Sequence, residues 1–266
     1  MSTDTVPSDI ADGVMTITLN RPEAANAVRP DDRDALIALF AAADGDEKVR
    51  VVVLRANGKH FCSGADVASL AERRAKGEKR VLEPTRRIMS GAQRLVASVL
   101  DCNKPVIAVV QGAATGLGAH LAYACDLVVA TENAYFAESF VKRGLVVDGG
   151  GCYLLPRRMG MQKAKEMAFF GEKLPAAEAL ALGLVNRVVN AADLDSAVAD
   201  FAGRLAGAPT SAVAFTKRLL NDSPDTDRSG AFLAEAMSQE IQSYAHDSTE
   251  GVKAFMEKRP TEFTGW

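Results

Sequence analysis

The chain has 266 residues, of which 48% are hydrophobic and 24% charged, and its formal net charge is -3. A chain of this length buries a sizeable core and fits one large domain. The small negative charge provides no basic field for nucleic acid, and no apolar run approaches the length that spans a bilayer. We therefore expect neither a nucleic-acid partner nor a membrane partner.

The start of the chain and its cysteines indicate the cellular compartment in which the protein is expected. Residues 1–12 are polar and lack the basic and apolar regions of a signal peptide. The four cysteines show neither CxxC spacing nor a disulfide framework; they are Cys62, Cys102, Cys125 and Cys152. Since reduced thiols are typical of the cytoplasm, we expect a cytoplasmic protein. The three histidines lack metal-ligand spacing, which predicts no metal site.

Strands and helices alternate along the chain, which indicates the α/β class. The predicted strands cover 14–19, 49–54, 106–110, 127–130 and 134–137. The predicted helices cover a segment capped by Asp31 or Asp32 and ending near Ala43, then 70–100, 117–125, 149–159, 175–182, 194–206, 209–220, 232–244 and 249–258. The charge-dense first part of region 70–100 indicates a solvated face.

A glycine turn follows the buried strand 106–110 and contains Gly112, Gly116 and Gly118, after which a buried helix begins. Strand, glycine turn and helix leave backbone N–H groups free at the helix start, where they can bind an anion or a developing oxyanion. The alternative is a close-packed turn in which only glycine fits. A second glycine turn, at 59–67, follows strand 49–54 in the same way.

Three segments resemble the crotonase (enoyl-CoA hydratase/isomerase) superfamily. They are Leu-Asn-Arg-Pro-Glu-Ala-Ala-Asn-Ala at 19–27, Phe-Cys-Ser-Gly-Ala-Asp at 61–66, and the glycine turn and helix at 112–126. They occur in the family's order and spacing, and the likeness continues through 181–186 and 250–251 to the end. One such motif alone is weak, whereas the ordered set is specific.

The resemblance implies a fold and an assembly. Residues 1–200 are expected to form the crotonase spiral of ββα turns with the acyl-CoA site. Residues 201–266 are expected to form a C-terminal helical part of the same domain family. In this family that part packs between subunits and helps build trimers, often paired into hexamers, so we expect a homotrimer or homohexamer.

The resemblance also implies how a substrate is held. An acyl-CoA thioester would place its carbonyl oxygen between the backbone N–H groups of Ala65 and Leu117, which stabilise an enolate. The positions implied for CoA binding are Ala24, Ala25, Ala27, Ser63, Asp66, Val67 and, for a phosphate, Lys258. A lone lysine is more often just a surface charge. Because coenzyme A is part of the substrate, we expect no separate cofactor.

The acid and base residues depart from the hydratase pattern. The family's two glutamate positions hold His120 and Phe140 here, so the carboxylate pair that holds a water is missing. Asp148 stands where an aspartate moves a proton in dienoyl-CoA isomerases and ring-oxepin/epoxyphenylacetyl-CoA isomerases, the branch that the chain looks like. Phe140 and Val147 are then expected to line the acyl pocket.

Two interpretations of Asp148 compete. An apolar wall of Leu145, Val146 and Val147 would raise the pKa of its carboxyl, which suits a proton shuttle. Alternatively, Asp148 simply caps the helix predicted to begin at Gly149. The family resemblance favours the catalytic role.

His120 and Glu138 also have two interpretations each. A histidine among small apolar neighbours is most often a core residue, but His120 lies one helical turn after Leu117 and can contact the acyl group. Glu138 shares a side with Phe140 if the segment is extended. For Glu138 we predict the simpler role of an ion-pair partner for Lys142 or Arg143.

Together these features predict an acyl-CoA enzyme, most simply an enoyl-CoA isomerase that uses Asp148 as its acid and base and His120 as a neighbouring polar group. Within enzymes, the alternatives are a hydratase with unusual residues or a thioester hydrolase. Outside enzymes, the alternative is a catalytically silent acyl-CoA-binding protein that has lost its glutamates. Asp148 discriminates between these classes, since a silent binder needs no carboxylate that faces the acyl chain.

Overall fold

A six-stranded sheet forms the centre of the computed structural model, which describes residues 3–66 and 81–266. The strands are β1 (Ser8–Ala11), β2 (Val14–Leu19), β3 (Val51–Ala56), β4 (Val106–Val110), β5 (Ala113–Thr115), β6 (Leu127–Thr131), β7 (Tyr135–Ala137), β8 (Lys173–Pro175) and β9 (Arg187–Val189). The central sheet has the order β1-β2-β3-β4-β6-β9. Its first pair is antiparallel and the others are parallel.

The two central strands explain why the sheet is parallel. Every residue of β4 is buried, and β3 is buried except at Arg55. Strands covered on both faces read as continuous apolar runs, and parallel sheets bury both faces. Val52 pairs with Val106, and Ile107 pairs with Leu127, so the sheet's centre is almost entirely aliphatic.

A second, three-stranded sheet has the order β5-β7-β8. Ala113 pairs with Tyr135 in parallel, and Phe136 pairs with Leu174 in antiparallel fashion. Only Gln111 and Gly112 separate β4 from β5, so the chain passes directly from the large sheet to the small one. This direct connection places the glycine turn at the start of the helix that begins at Leu117.

The helices surround both sheets. They are α1 (Pro30–Gly45), α2 (Glu83–Ile88), α3 (Arg94–Leu100), α4 (Leu117–Ala124), α5 (Gly151–Met159), α6 (Met161–Phe170), α7 (Ala176–Ala181), α8 (Leu194–Ala206), α9 (Thr210–Asp222), α10 (Arg228–Ser243) and α11 (His246–Glu257). A π-helical turn, Met89–Gln93, joins α2 to α3. Within the two described ranges, no helix is long and apolar enough to cross a membrane.

The core lies on both faces of the large sheet. The larger cluster joins α1, α3 and α4 to one face and includes Phe40, Leu95 and Leu121. The smaller cluster packs α8, through Ala197 and Val198, against the opposite face. The division predicted after residue 200 stays a prediction, and it falls inside α8.

The predicted cap of α1 is wrong. The helix begins at Pro30 and its N-cap is Arg29, because proline lacks the N–H that a cap would satisfy and has a helical φ. Asp32 is therefore the third helical residue, and its carboxylate accepts the Arg29 N–H at 3.0 Å. Burial raises the pKa of Asp32, but hydrogen bonds from Arg29 and Thr5 lower it to about 2.

Several predicted boundaries shift. Strand β3 begins and ends two residues later than predicted, α5 begins at Gly151 instead of 149, and α10 begins at Arg228 instead of 232. Asp227 accounts for the last difference, since its carboxylate accepts the Gly230 N–H at 2.8 Å and caps the helix. Of the predicted helical region 70–100, the part up to residue 80 lies outside the described residues.

Candidate active site

The glycine turn around Gly64 is held between two other segments by its backbone. Ser63 N–H donates to Ala25 O at 3.0 Å, and Val28 N–H donates to Gly64 O at 2.8 Å. Asp66 N–H donates back to Val28 O at 3.0 Å. Between these bonds, the N–H of Ala65 forms no hydrogen bond with any residue that the structure describes, so a donor remains free at this turn.

The glycine turn that contains Gly112 and Gly116 lies against the turn around Gly64. Thr115 N–H donates to Cys62 O at 2.9 Å, and the Thr115 hydroxyl donates to Ser63 O at 2.9 Å. Gly64 has φ +107°, and a Cβ there would lie 2.9 Å from Thr115 O and 3.6 Å from Leu117 N. Both interpretations of the glycines therefore apply, since glycine is needed for packing and the turns still present free donors.

Leu117 begins α4, and its N–H has no hydrogen-bond partner in the described part of the chain. The first N–H groups of a helix lack partners within it. Because Gly64 contacts this helix start, the free N–H groups of Ala65 and Leu117 lie at the same junction. Two converging backbone donors are the arrangement that stabilises an oxyanion.

A loop beside this junction contains the predicted CoA-binding alanines. It follows the short 3₁₀ turn Pro22–Ala24, and Ala25 and Asn26 both have left-handed backbones, with φ +49° and +55°. The Asn26 amide donates to Asn57 O at 2.9 Å and to His60 O at 2.8 Å. The loop is thereby fixed against the start of the glycine turn at 59–67.

Arg21 closes the same loop. Its guanidinium donates to Ala27 O at 2.7 Å and to the Asp66 carboxylate at 3.3 Å. The structure therefore brings together five of the predicted CoA-binding residues, namely Ala24, Ala25, Ala27, Ser63 and Asp66. Val67 lies outside the described residues. Lys258 is exposed at the end of α11, and no hydrogen bond or ion pair joins it to this group in the described ranges.

The two positions that hold glutamates in the family's hydratases hold His120 and Phe140 here, and these two rings stack. The rings of His120 and Phe140 lie parallel within 5°, with centroids 5.7 Å apart. His120 is completely buried on α4, and Phe140 is partly buried. A phenyl ring offers no hydrogen-bond acceptor that could hold a water, so this pair cannot act as two carboxylates do.

Glu138 is the partner of His120, and its predicted role as an ion-pair partner for Lys142 or Arg143 is wrong. His120 Nε2 lies 3.0 Å from Glu138 Oε2, and both side chains are fully buried. Lys142 instead pairs with Glu172 at 3.2 Å, and Arg143 donates to the Ser139 hydroxyl at 2.8 Å. Glu138 follows β7 directly and points inward, whereas both cations lie on an exposed turn.

Asp148 is partly buried, and its carboxylate forms no hydrogen bond to any described residue. Burial raises the pKa of Asp148, and its electrostatic interaction with His120 opposes the rise. The capping alternative fails, since α5 has Gly150 as its N-cap and no side-chain cap. Asp148 bonds to the start of the helix only through its backbone O, which accepts the Gly151 N–H at 3.1 Å.

The predicted apolar wall beside Asp148 is only half present. Val146 is 84% exposed, so its assignment to the wall is wrong. Neighbouring side chains of an extended segment point to opposite sides, and Val147 accordingly turns inward. The Val147 Cγ1 and His120 Nε2 atoms both lie against Gly151. The acyl-pocket positions Val147 and Phe140 thus both lie near His120: Phe140 stacks on its ring, and Val147 borders Gly151 together with Nε2.

The turn that carries Asp148 lies directly over α4. Gly149 has φ +57°, and a Cβ there would lie 3.2 Å from His120 Nδ1 and 3.5 Å from Leu117 Cδ1. Ala92 of the π-helical turn borders the same position at 3.4 Å. Asp148, His120 and the donor at Leu117 therefore share one wall of the site.

Two residues of this site, Asn26 and Glu138, were not among the predicted site residues. Asn26 had a usable signal, because asparagine tolerates the left-handed backbone of a turn. Glu138 had none, since its partner His120 is 18 residues away on another element.

Comparisons with known proteins agree with this geometry. The family model described as Enoyl-CoA hydratase/isomerase matches residues 9–265. A protein of Rhodobacter capsulatus named "Probable enoyl-CoA hydratase" is 38% identical over 265 residues, 100% of each chain. The 1,2-epoxyphenylacetyl-CoA isomerase of Escherichia coli K12 is 33% identical over 258 residues, 97% of each chain.

A solved structure extends the likeness to the fold. The enoyl-CoA hydratase/isomerase of Cupriavidus metallidurans CH34 superimposes with a TM-score of 0.92 at 32% identity, over 100% of this chain and 98% of that one. These matches confirm the resemblance and the predicted crotonase-like α/β fold with its C-terminal helices. Because the relatives carry both hydratase and isomerase names, the predicted aspartate-using isomerase branch stays a prediction.

Proposed function

Given that the chain belongs to the enoyl-CoA hydratase/isomerase family, we propose that it shifts a double bond of an enoyl-CoA thioester, with Asp148 as acid and base. One observation carries the proposal. Asp148 presents an unbonded, partly buried carboxylate on the wall that holds Leu117, whereas the hydratase glutamate positions hold the stacked rings of His120 and Phe140.

Substrate binding follows from the two turns. The N–H groups of Ala65 and Leu117 hold the thioester oxygen, which gains negative charge as the enolate forms. Coenzyme A lies along the loop that Asn26 and Arg21 fix, with Val67 and Lys258 as further contacts. Coenzyme A belongs to the substrate, so the proposal needs no resident cofactor.

The proton transfer needs one carboxylate. Asp148 takes a proton from one carbon of the acyl chain, and the electrons of that C–H bond move toward the oxygen held by the two N–H groups. The Asp148 O–H bond then breaks, the proton joins a different carbon, and the double bond has moved. The raised pKa of Asp148 supports this role, since a raised value brings the carboxyl closer to the operating pH.

Hydration is the second candidate, because the relative at 38% identity carries a hydratase name. In the family, hydration uses a pair of carboxylates to hold and activate a water. The stack of His120 and Phe140 occupies both of those positions here. A hydratase would therefore have to work through Asp148 and a water without that pair.

Product analysis separates the candidates. The purified protein is incubated in heavy water with a panel of enoyl-CoA and dienoyl-CoA thioesters, and the products are read by mass spectrometry. An isomerase incorporates deuterium without the mass of a water, a hydratase adds a water, and a hydrolase releases coenzyme A. We expect deuterium incorporation alone; a product that contains an added water would overturn the isomerase proposal.

The proposal includes a homotrimer or homohexamer. Helix α10 exposes an apolar stripe, in which each side chain is more than half exposed: Phe232, Leu233, Met237, Ile241 and Tyr244. Exposed stripes of this kind mark interfaces. Light scattering should give a multiple of the 28.2 kDa chain mass, and a monomer at micromolar concentration would contradict this. The unpaired cysteines support a cytoplasmic location.

A further inference from the structure

The buried pair of Glu138 and His120 has unused polar atoms. His120 Nδ1 and Glu138 Oε1 have no hydrogen-bond partner among the described residues, and the same is true of the Tyr123 hydroxyl beside them. Buried polar atoms without partners are rare and costly. Because one nitrogen of the imidazole is bound and the other is free, the ring can serve a group that arrives with the substrate.

The pairing determines which nitrogen carries the proton. An ionised carboxylate only accepts hydrogen bonds, so opposite an ionised Glu138 the Nε2 atom is the donor. In a neutral imidazole Nδ1 then keeps its lone pair. The titratable groups that surround the ring are Glu138, Tyr123 at 6.4 Å between ring centroids, and Asp148.

The free nitrogen faces the turn that carries Asp148. A Cβ built on Gly149 lies 3.2 Å from His120 Nδ1 and 3.5 Å from Leu117 Cδ1. Phe140 stacks on one face of the ring with centroids 5.7 Å apart, and the contact of Nε2 with Glu138 fixes which nitrogen faces the turn. The orientation of Nδ1 is therefore held by contacts on two sides.

We propose, resting on the function proposed above, that Glu138 is a positioning residue that fixes His120 in its Nε2–H form, so that Nδ1 accepts a hydrogen bond from the O–H of Asp148 while Asp148 carries the substrate proton. The imidazole gains and loses no proton in this step. A C–H bond of the substrate breaks, the Asp148 O–H bond forms, and the same O–H bond later breaks as a new C–H bond forms.

The benefit to catalysis is stabilisation of the protonated form of Asp148. A hydrogen bond to the neutral acid stabilises that form, so Asp148 accepts the substrate proton more readily. With the opposite tautomer, the Nδ1–H group would donate to the Asp148 carboxylate. This would stabilise the ionised form of Asp148 and oppose its protonation. Glu138 thus acts on the reaction through His120, without touching the substrate.

The first test is spectroscopic and needs no substrate. The chain has three histidines, so protein labelled with ¹⁵N-histidine gives few ring signals, and the His120 signals are those lost in His120→Gln. We expect His120 to be protonated at Nε2 and unprotonated at Nδ1 at neutral pH. A ring protonated at Nδ1, or at both nitrogens, would overturn the proposal.

The second test uses Glu138→Gln, which keeps the shape but replaces the carboxylate by an amide whose N–H can face Nε2 as readily as its oxygen, so the Nε2–H form is no longer enforced. We expect deuterium exchange into the substrate to fall about 10- to 100-fold, as for partners that orient a histidine, with KM unchanged. The matched control is Glu172→Gln, which removes the charge of an exposed glutamate and should leave the rate unchanged. A wild-type rate in Glu138→Gln would contradict the proposal.

Further variants separate a structural role from a positioning role. In the Glu138→Gln background, His120→Asn places an amide oxygen near the former Nδ1, and it should recover part of the exchange. No recovery would indicate that the pair only fills space. If Glu138→Gln does not fold, the wild-type tautomer still decides the question. If the wild-type protein exchanges nothing with any thioester, the proposed function fails, while the tautomer is still measured.

Discussion

His120 Nε2 lies 3.0 Å from Glu138 Oε2, and neither side chain reaches solvent. The pair joins the helix that begins at Leu117 to the segment that leads into the Asp148 turn. Replacing one partner leaves the other buried without a hydrogen bond. This lowers the stability of the fold by more than the bond itself contributes.

Glu138→Ala should therefore destabilise the protein. We expect the free energy of unfolding to fall by about 1–3 kcal/mol, because His120 Nε2 loses its partner. Urea denaturation measures this change, and Glu172→Ala is the control, since Glu172 is exposed and its pair with Lys142 lies on the surface. Equal stability of Glu138→Ala and the control would show that the buried bond contributes nothing.

Gly64→Ala tests whether the two turns must touch. Gly64 has φ +107°, and a Cβ would lie 2.9 Å from Thr115 O. We expect a loss of about 1–3 kcal/mol from the strained backbone, together with weaker acyl-CoA binding as the donors of Ala65 and Leu117 separate. Gly45→Ala is the control, because nothing lies within 4 Å of a Cβ there. Unchanged calorimetric binding in Gly64→Ala would argue against the junction.

Asp148→Asn should raise stability at neutral pH. Burial raises the pKa of Asp148 above its ordinary value of 3.8, so the folded state binds this proton more tightly than the unfolded state. The wild-type protein therefore loses stability as pH rises through the folded-state pKa, and asparagine carries no such cost. The advantage of Asp148→Asn should shrink on acidification and vanish below 3.8.

Thermal unfolding of both proteins, from neutral pH down to the lowest pH at which they remain folded, measures this difference. A variant that is less stable than wild type at neutral pH would contradict the account. A difference that does not depend on pH would do so as well, because it could not arise from the carboxyl group.

Met237→Glu tests the apolar stripe of α10. Met237 lies in the middle of the stripe and is exposed in the single chain. A charge there should break or weaken the assembly, because a buried unpaired carboxylate is costly. Gln239→Glu adds the same charge two residues on, on another side of the helix. Light scattering should show smaller particles for Met237→Glu only; equal masses would place the interface elsewhere.

The sequence predicted the elements that are long and uniform. Strand β4 was predicted within its observed bounds because five consecutive apolar residues indicate a strand buried on both faces. The start of α4 at Leu117 was predicted from the glycines before it. Strands β5, β8 and β9 have three residues each, too few to show a period, so their pairing depends on the rest of the fold.

The site was predictable where backbone geometry follows from local residues, and less so where side chains meet across the fold. The glycine turns indicated free N–H groups, and the raised pKa of Asp148 followed from an apolar neighbour. The inward turn of Glu138 and the outward turn of Val146 depend on how β7 and the Asp148 turn pack on α4. Nothing within those short segments specifies that packing.

The most direct test of the account is deuterium exchange into an enoyl-CoA acyl chain by Asp148→Asn, with acyl-CoA binding measured by calorimetry on the same sample. We expect unchanged binding and a rate lower by on the order of a hundredfold or more, as for a missing general base, while His120→Ala keeps more of the exchange. A near wild-type rate in Asp148→Asn, with His120→Ala inactive, would contradict the account and indicate a histidine-based mechanism.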